Sequence, residues 1–188
     1  MKELSLNILD IAENSVKAEA TLTEIAIAET DDSLTLTFTD NGYGMSEETV
    51  KSVINPFYTT RTTRSVGLGI PLLKLQAEQT GGTLSISSKQ KSEHPKNHGT
   101  VVKASFNKKH LDYTPLGDVT QSLITLIQGH PETDFLFTHT FSGREVRLDT
   151  RELRAQLEDV PLNTYEVIKW VEEYMYEQYR DLYDKQVN

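Results

Sequence analysis

The first 110 residues alternate between helical and strand-like patterns of apolar positions. Apolar residues every three or four positions predict a helix over residues 4–18, with one stripe that can bury against a sheet. Strict alternation in residues 23–30 and 34–40 predicts a β-hairpin. The further predicted elements are helices at residues 46–54 and 70–80 and strands at residues 83–88 and 99–106. Strands in adjacent pairs predict a mixed, mainly antiparallel sheet with helices on one face, a two-layer α/β sandwich of the α+β class.

A composition shift near NKKHLDYTPLGD predicts a boundary between an N-terminal domain, residues 1–110, and a small acidic α/β module, residues 111–188. The module's predicted elements are helices at residues 116–129, 151–158 and 164–183 and strands at residues 133–140 and 144–149. Trp170, Tyr174 and Tyr179 flank the apolar stripe of the last helix and are interpreted as core. The six aromatic residues of that helix are nevertheless too widely spread for one stripe, so some should face solvent or a partner.

The first predicted helix also carries a polar stripe, whose members are spaced by three and four residues and share one helical face. They are Asp10, Glu13, Asn14 and Lys17. Such a face is either solvated surface with an i, i+4 ion pair or part of a polar site. The helix alone does not decide between these two interpretations.

Two glycine motifs lie next to predicted element ends. DNGYG, residues 40–44, follows a strand; its glycines allow a tight turn, and Asp40 can accept a hydrogen bond from an exocyclic amine such as that of adenine. GLGI, residues 67–70, precedes a helix, where free backbone N–H groups favour an anion. The segment between the motifs carries Arg61 and Arg64, which suit phosphate. Each motif alone is weak, and neither completes a Rossmann or a Walker A pattern.

Together the motifs resemble those of the GHKL (Bergerat) ATP-binding superfamily over about residues 4–106. LDIAENSVKA resembles the N box, DNGYGM the G1 box, NPFYTT the F box, SVGLGIPLLK the G2 box, and HGTVVKASF the closing Gly-Thr strand. The boxes occur in order with fitting spacing. The F box and Lys17 are most similar to the histidine-kinase branch, whose catalytic domains bind ATP.

The resemblance implies a site for ATP and Mg²⁺. Asn14 would coordinate Mg²⁺ that bridges the phosphates, since its amide oxygen suits a hard cation. Asp40 would recognise adenine, with Gly42 and Gly44 giving it room and Thr100 supporting it. The further nucleotide contacts that the resemblance implies are Lys17, Met45, Tyr58, Thr59, Thr60, Arg61, Arg64, Gly67, Leu68 and Gly69.

Two departures from the family pattern bear on the reaction. The ATPase branches place Glu four residues before the N-box Asn as general base for water, whereas this chain has Asp10 there and Glu13 beside Asn14. Asp10 and Glu13 are the candidate catalytic residues, and the shorter Asp10 favours transfer to a protein side chain over hydrolysis. The chain also starts at the N box, without the helical pair that carries the phosphoacceptor His in histidine kinases. Its five histidines lack that context and are interpreted as surface or packing residues.

Composition and charge narrow the class of protein. An apolar fraction of 37% and a charged fraction of 25% suit a soluble globular protein. No apolar run approaches the ~18 residues of a membrane span, so no membrane partner is expected. The absence of cysteine fits a cytoplasmic location. The net charge is −9, and residues 111–188 hold 7 Lys/Arg and 15 Asp/Glu, which argues against a nucleic-acid partner.

The sequence thus leaves three functions open. The first is an ATP- and Mg²⁺-dependent kinase that transfers the γ-phosphoryl group in trans to an unidentified partner protein. The second is a regulatory binding module of the anti-sigma-factor type, and the third is a simple ATPase switch. A homodimer is also left open.

Overall fold

The structure is a computed structural model of the 188-residue chain, and it describes residues 3–54 and 68–184. The helices are α1 (Leu4–Lys17), α2 (Glu47–Ile54), α3 (Gly69–Gln79), α4 (Val119–Gly129), α5 (Thr150–Leu157) and α6 (Tyr165–Tyr183). The strands are β1 (Leu22–Glu29), β2 (Ser33–Asp40), β3 (Thr83–Lys89), β4 (Gly99–Asn107), β5 (Asp134–Phe141) and β6 (Arg144–Asp149). Every helix and strand predicted from the sequence is confirmed. None of the described helices is both long and apolar enough to cross a membrane.

Helix α4 begins three residues later than the sequence predicts. Asp118 precedes the helix, and its side chain accepts a hydrogen bond from Gln121 N at 3.0 Å, which caps the first turn. Gly117 adopts a φ of +77°, a conformation that a helix cannot continue through. These two residues therefore fix the start of the helix.

The strands form one six-stranded sheet in the order β3-β4-β2-β1-β5-β6. Neighbouring strands run antiparallel except β1 and β5, which pair in parallel with Ile25 opposite Phe137. Alternate strand residues are buried on one face, and helices α1, α3, α4 and α6 contribute to the same apolar core. The opposite face holds exposed or half-buried residues such as Thr37 and Lys103. The mixed two-layer α+β sandwich is confirmed.

The apolar stripe of α1 lies at the centre of this core. Leu4 and Ile8 are fully buried, and Ile11 is 2% exposed. The opposite edge of the helix is polar, so burying the stripe leaves the predicted polar face free to line a site. The backbone N–H groups of Leu4 and Ser5 donate to the carbonyls of Pro115 and Leu116, which fixes the start of the helix.

The predicted boundary near residue 110 falls between β4 and α4. Beyond it, β5 pairs with β1 and α4 packs on α1, so both the sheet and the core continue across that point. The proposed division into a domain and a module thus rests on sequence composition, while the sheet and the apolar core continue across residue 110.

The interpretation of the α6 aromatics as core is wrong for two of them. Trp170 is 48% exposed and Tyr174 is 36% exposed, and their rings stack on each other at 4.9 Å between centroids. Val171 and Met175 occupy the buried stripe instead. Since positions one residue apart on a helix are rotated by about 100°, Trp170 and Tyr174 turn away from that stripe. Tyr179 is half-buried and packs against the core.

Candidate functional site

A cavity of about 540 Å³ opens between α1, the ends of β2 and β4, and the β3–β4 loop. Its volume lies in the range of small-molecule sites, about 300–1,000 Å³. The apolar side chains that line it include Ile11, Phe38, Val53, Ile70 and Val102. The polar side chains that line it include Asn14, Lys17, Asp40 and Thr100. An apolar wall with a few convergent polar groups is the usual character of a ligand site.

Helix α1 supplies one side of the cavity. Three residues of the helix line the cavity: Asn14, Ser15 and Lys17. Asp10, also on α1, lies beside the start of α3, where a Cβ added to Gly69 would lie 3.1 Å from Asp10 Cβ. This close approach places a carboxylate beside the first residue of α3. Of the predicted polar stripe, Asn14 and Lys17 thus line the cavity, while Asp10 lies at the α1–α3 contact.

Glu13 lies on a different side of α1. Its carboxylate accepts a hydrogen bond from His130 Nε2 at 2.8 Å, where α1 meets the end of α4. Glu13 is not among the described residues that line the cavity. Its catalytic role stays a prediction, and the structure gives its carboxylate a partner within the chain.

The Asp40 carboxylate, at the end of β2, is held by three neutral donors. Its Oδ1 accepts from Gly42 N at 2.9 Å and from Thr100 N at 3.2 Å, and its Oδ2 accepts from Ser15 Oγ at 3.2 Å. Burial raises the pKa of Asp40 above its ordinary value, and these hydrogen bonds oppose part of that rise. Since a carboxylate oxygen accepts more than one hydrogen bond, Oδ2 can take a donor from a ligand.

The turn after β2 has no room for larger side chains. A Cβ added to Gly42 would lie 2.6 Å from Ala18 O, and Gly44, at a φ of +69°, would place one 2.0 Å from Lys89 O. Tyr43 N donates to Ala18 O at 2.9 Å, which ties the turn to the end of α1. The two glycines therefore allow the backbone to pack closely behind Asp40.

Most of the predicted site residues that the structure describes meet at this cavity. Those lining it are Asn14, Lys17, Asp40, Gly44, Met45 and Thr100, with Gly42 directly behind Asp40. Gly69 lies beside Asp10, while the Leu68 side chain is 66% exposed. The other predicted contacts lie outside the described residues; they are Tyr58, Thr59, Thr60, Arg61, Arg64 and Gly67.

Three polar residues of the site were missed by the sequence analysis. Ser15 is 3% exposed and donates to Asp40. Ser88 Oγ accepts from Met45 N at 2.7 Å and donates to Gly99 O at 3.0 Å, which joins the β2–α2 turn to β4. The signal for Ser15 was a hydroxyl directly after Asn14, on the side of α1 that faces the sheet. His98 is the third, and its contact is with the turn that holds Asp40.

The donor set fits ATP with Mg²⁺. The Asn14 amide would offer a hard oxygen of the kind that Mg²⁺ prefers, and proteins commonly bind Mg²⁺ through few side chains together with substrate phosphates. Among residues 3–54 and 68–184, no cluster of three or more His, Cys, Asp or Glu side chains suits a metal ion. A magnesium ion at Asn14 would accordingly depend on phosphate oxygens.

Comparison with known proteins agrees with this site. A family model described as histidine kinase-, DNA gyrase B-, and HSP90-like ATPase matches residues 2–110. The sensor histidine kinase YvrG of Bacillus subtilis (strain 168) is 32% identical over 102 residues, which cover 51% of this chain and 17% of that protein. The heme sensor protein HssS of Staphylococcus saprophyticus is 31% identical over 98 residues, covering 50% of this chain and 20% of that protein. The chain thus spans at most about a fifth of the length of these curated relatives.

Among solved structures, the MutL ATPase domain of Aquifex aeolicus complexed with ADP has the same fold. It superposes with a TM-score of 0.53 at 19% identity, covering 84% of this chain and 68% of that one. That coverage reaches beyond the residues of the family match. Because the family model covers more than half of the sequence, this chain belongs to the histidine kinase-, DNA gyrase B- and HSP90-like ATPase family, with a histidine-kinase-like ATP-binding domain.

Proposed function

We propose that this chain binds ATP with Mg²⁺ in the 540 Å³ cavity and transfers the γ-phosphoryl group to a partner protein in trans. The observation that carries the proposal is the Asp40 carboxylate at the cavity wall, held by neutral donors and with acceptor capacity left on Oδ2. The adenine amine is a donor of the kind that this oxygen would accept. A cytoplasmic location goes with the proposal as an expectation.

Asn14 and Lys17 would serve the phosphate end of the nucleotide. Both line the cavity and belong to the polar stripe of α1. The Asn14 oxygen would hold Mg²⁺, which neutralises phosphate charge when bound, and the Lys17 ammonium would pair with a phosphate oxygen. Positioning and electrostatic stabilisation of this kind are what phosphoryl transfer requires of a protein.

The ATPase switch is the second candidate, because of the position of Asp10. Asp10 lies beside Gly69 at the start of α3, four residues before Asn14, where a general base for water would stand. Its side chain is one methylene shorter than glutamate, which keeps transfer to a protein as the first proposal. The regulatory module of the anti-sigma-factor type remains the third candidate, in which nucleotide controls binding of a partner.

The acceptor protein would dock on α6. One face of this helix carries exposed acidic and aromatic side chains at helical spacing, which we call the acidic aromatic face: Glu166, Trp170, Glu173, Tyr174, Glu177 and Asp181. Lys169 and Arg180 pair with two of these acids only at 3.9 and 3.7 Å in solvent, where such pairs contribute little. The net charge favours a partner surface bearing Lys or Arg, whose cations can stack on the Trp170 ring.

The test begins with calorimetric titration of the full chain with ATP, with and without Mg²⁺. Binding that Mg²⁺ strengthens is expected, and no binding would overturn all three candidates. Radiolabelled γ-phosphate ATP is then added with native lysate. A labelled partner protein supports the kinase, free phosphate without labelled protein supports the ATPase switch, and ATP-dependent association without label supports the regulatory module.

Asn14→Ala sharpens this test. Without the amide oxygen, Mg²⁺ loses its protein ligand while the adenine contacts remain, so phosphoryl transfer should fall far more than ADP binding measured without metal. Asn163→Ala, at an exposed position far along the chain, is the matched control. Equal loss of metal-free ADP binding in Asn14→Ala would mean that the substitution acts on the fold.

A further inference from the structure

The three residues His98, Gly99 and Thr100 wrap around Asp40 and the turn that follows it. Thr100 N donates to Asp40 Oδ1 at 3.2 Å. Gly99 has a φ of +127°, and a Cβ there would lie 1.9 Å from Asp40 O, so the backbone passes directly against the Asp40 peptide. His98 Nδ1 lies 2.6 Å from Gly42 O. The first two contacts belong to the site described above, while the third involves a residue with no assigned role.

The His98 contact acts on the peptide that directly follows the one holding the carboxylate. Gly42 N donates to Asp40 Oδ1 at 2.9 Å, and the Gly42 carbonyl faces His98. Because a carbonyl oxygen only accepts, His98 Nδ1 must carry the proton and donate. Gly42 has no side chain to restrict rotation between the two peptides that meet at its Cα. Their relative orientation therefore depends on the bonds made by Gly42 N, Gly42 O and Tyr43 N.

We infer that His98 is a positioning residue for adenine recognition: it fixes the Gly42–Tyr43 peptide and thereby the conformation of Gly42, whose N–H orients the Asp40 carboxylate. The inference rests on the proposed function, in which Asp40 accepts from the adenine amine. A charged His98 would also favour the ionised carboxylate, since His98 is among the groups that oppose the raised pKa of Asp40. His98 itself need not touch the nucleotide.

Base selectivity is the property that follows. Adenine presents an amine donor where guanine presents a carbonyl oxygen, and a carboxylate accepts only from the donor. A carboxylate held in one orientation discriminates sharply between the two bases. One that rotates loses part of that discrimination, because water or another donor can then satisfy it.

Three substitutions in the full chain test the inference. His98→Ala removes the donor to Gly42 O, and we expect ATP affinity to fall about tenfold, as for one lost hydrogen bond, with a reduced ratio of ATP to GTP affinity. His98→Asn keeps an N–H at a position similar to Nδ1, and it should stay within about threefold of the unchanged chain. His94→Ala, in the same β3–β4 loop and exposed, is the control and should change neither quantity.

The readouts are calorimetric titrations with ATP and GTP and, without any nucleotide, the NMR signal of the Gly42 amide. We expect His98→Ala to shift that signal and His94→Ala to leave it in place. If the unchanged chain binds no ATP, the proposed function fails, while the amide signal still tests the link from His98 to Gly42. Unchanged ATP selectivity in His98→Ala overturns the inference, and so does a loss in His98→Asn as large as that in His98→Ala.

Discussion

Two half-buried carboxylates end the neighbouring strands β1 and β2, and their partners differ in kind. Asp40 ends β2 and is held only by neutral donors, two backbone N–H groups and the Ser15 hydroxyl. Glu29 ends β1, at the opposite end of the hairpin, and accepts from Lys108 Nζ at 2.6 Å and His139 Nε2 at 2.9 Å. Tyr183 OH, from the end of α6, donates to the same carboxylate at 2.8 Å.

The pKa values of the two groups move in opposite directions. Burial raises the pKa of both carboxyls, but at Glu29 the hydrogen bonds from His139, Lys108 and Tyr183 and the Lys108 charge outweigh it and lower the pKa to about 2. At Asp40 the neutral donors do not outweigh burial, and the pKa stays raised. Glu29 is therefore satisfied within the protein, whereas Asp40 lines a cavity and gains from a further donor. The first arrangement stabilises a fold, and the second suits a ligand.

The largest expected effect on stability is that of Glu29→Gln. The amide leaves Lys108 without its anion beside a fully buried His139, so the free energy of unfolding should fall by about 3 kcal/mol. Denaturant unfolding measures this, and calorimetry should find ATP affinity nearly unchanged. Glu24→Gln, at an exposed position of the same strand, is the control and should change stability by less than about 0.5 kcal/mol. A loss of ATP affinity without a loss of stability would reverse the roles given to the two carboxylates.

The Glu29 carboxyl also predicts how the free energy of unfolding depends on pH. Its pKa is lowered from 4.5 to about 2 on folding, so its contribution is present above pH 4.5 and is lost as the pH falls toward 2. The contribution is at most about 3.5 kcal/mol, since one pKa unit corresponds to about 1.4 kcal/mol, and solvent screening of this partly exposed group lowers it further. Denaturant unfolding of the unchanged chain and of Glu29→Gln should therefore differ less and less across that window. A difference that stays constant down to pH 2 would contradict the lowered pKa.

Asp40→Asn should act on binding. The amide can present N–H groups toward the adenine amine and toward the donors from Gly42 and Thr100, and a mismatched buried polar group costs about 1–3 kcal/mol. ATP affinity should fall about ten- to a hundredfold by calorimetry, and selectivity over GTP should fall with it. Asp31→Asn, in the exposed turn between β1 and β2, is the matched control. Unchanged ATP affinity in Asp40→Asn would refute its assignment to adenine.

The comparison also shows what the sequence could predict. Asp40 was found because it lies in a short motif with Gly42 and Gly44, and the elements were found because local apolar periodicity predicts them. The Glu29 cluster carries no such signal, since Lys108 and His139 lie 79 and 110 positions further along the chain. The parallel pairing of β5 with β1 brings His139 there, and no local pattern specifies which distant strands become neighbours.

Helix α6 repeats the contrast within one element, and it gives the smallest expected effect on stability. At its end, Tyr183 donates to Glu29 and fixes the helix to the sheet, while Trp170 and Tyr174 stack on each other in solvent. Replacing both exposed rings with Ala removes only their mutual contact and partial burial, so the free energy of unfolding should fall by less than about 1 kcal/mol. If the acidic aromatic face receives the acceptor protein, label transfer from ATP to that protein should nevertheless be lost, with ATP affinity unchanged.

Tyr183→Phe is the opposite case, since it loses the bond to Glu29 and should lower the free energy of unfolding by about 1 kcal/mol without affecting label transfer. Full label transfer in the Trp170→Ala, Tyr174→Ala double variant would show that the acceptor docks elsewhere.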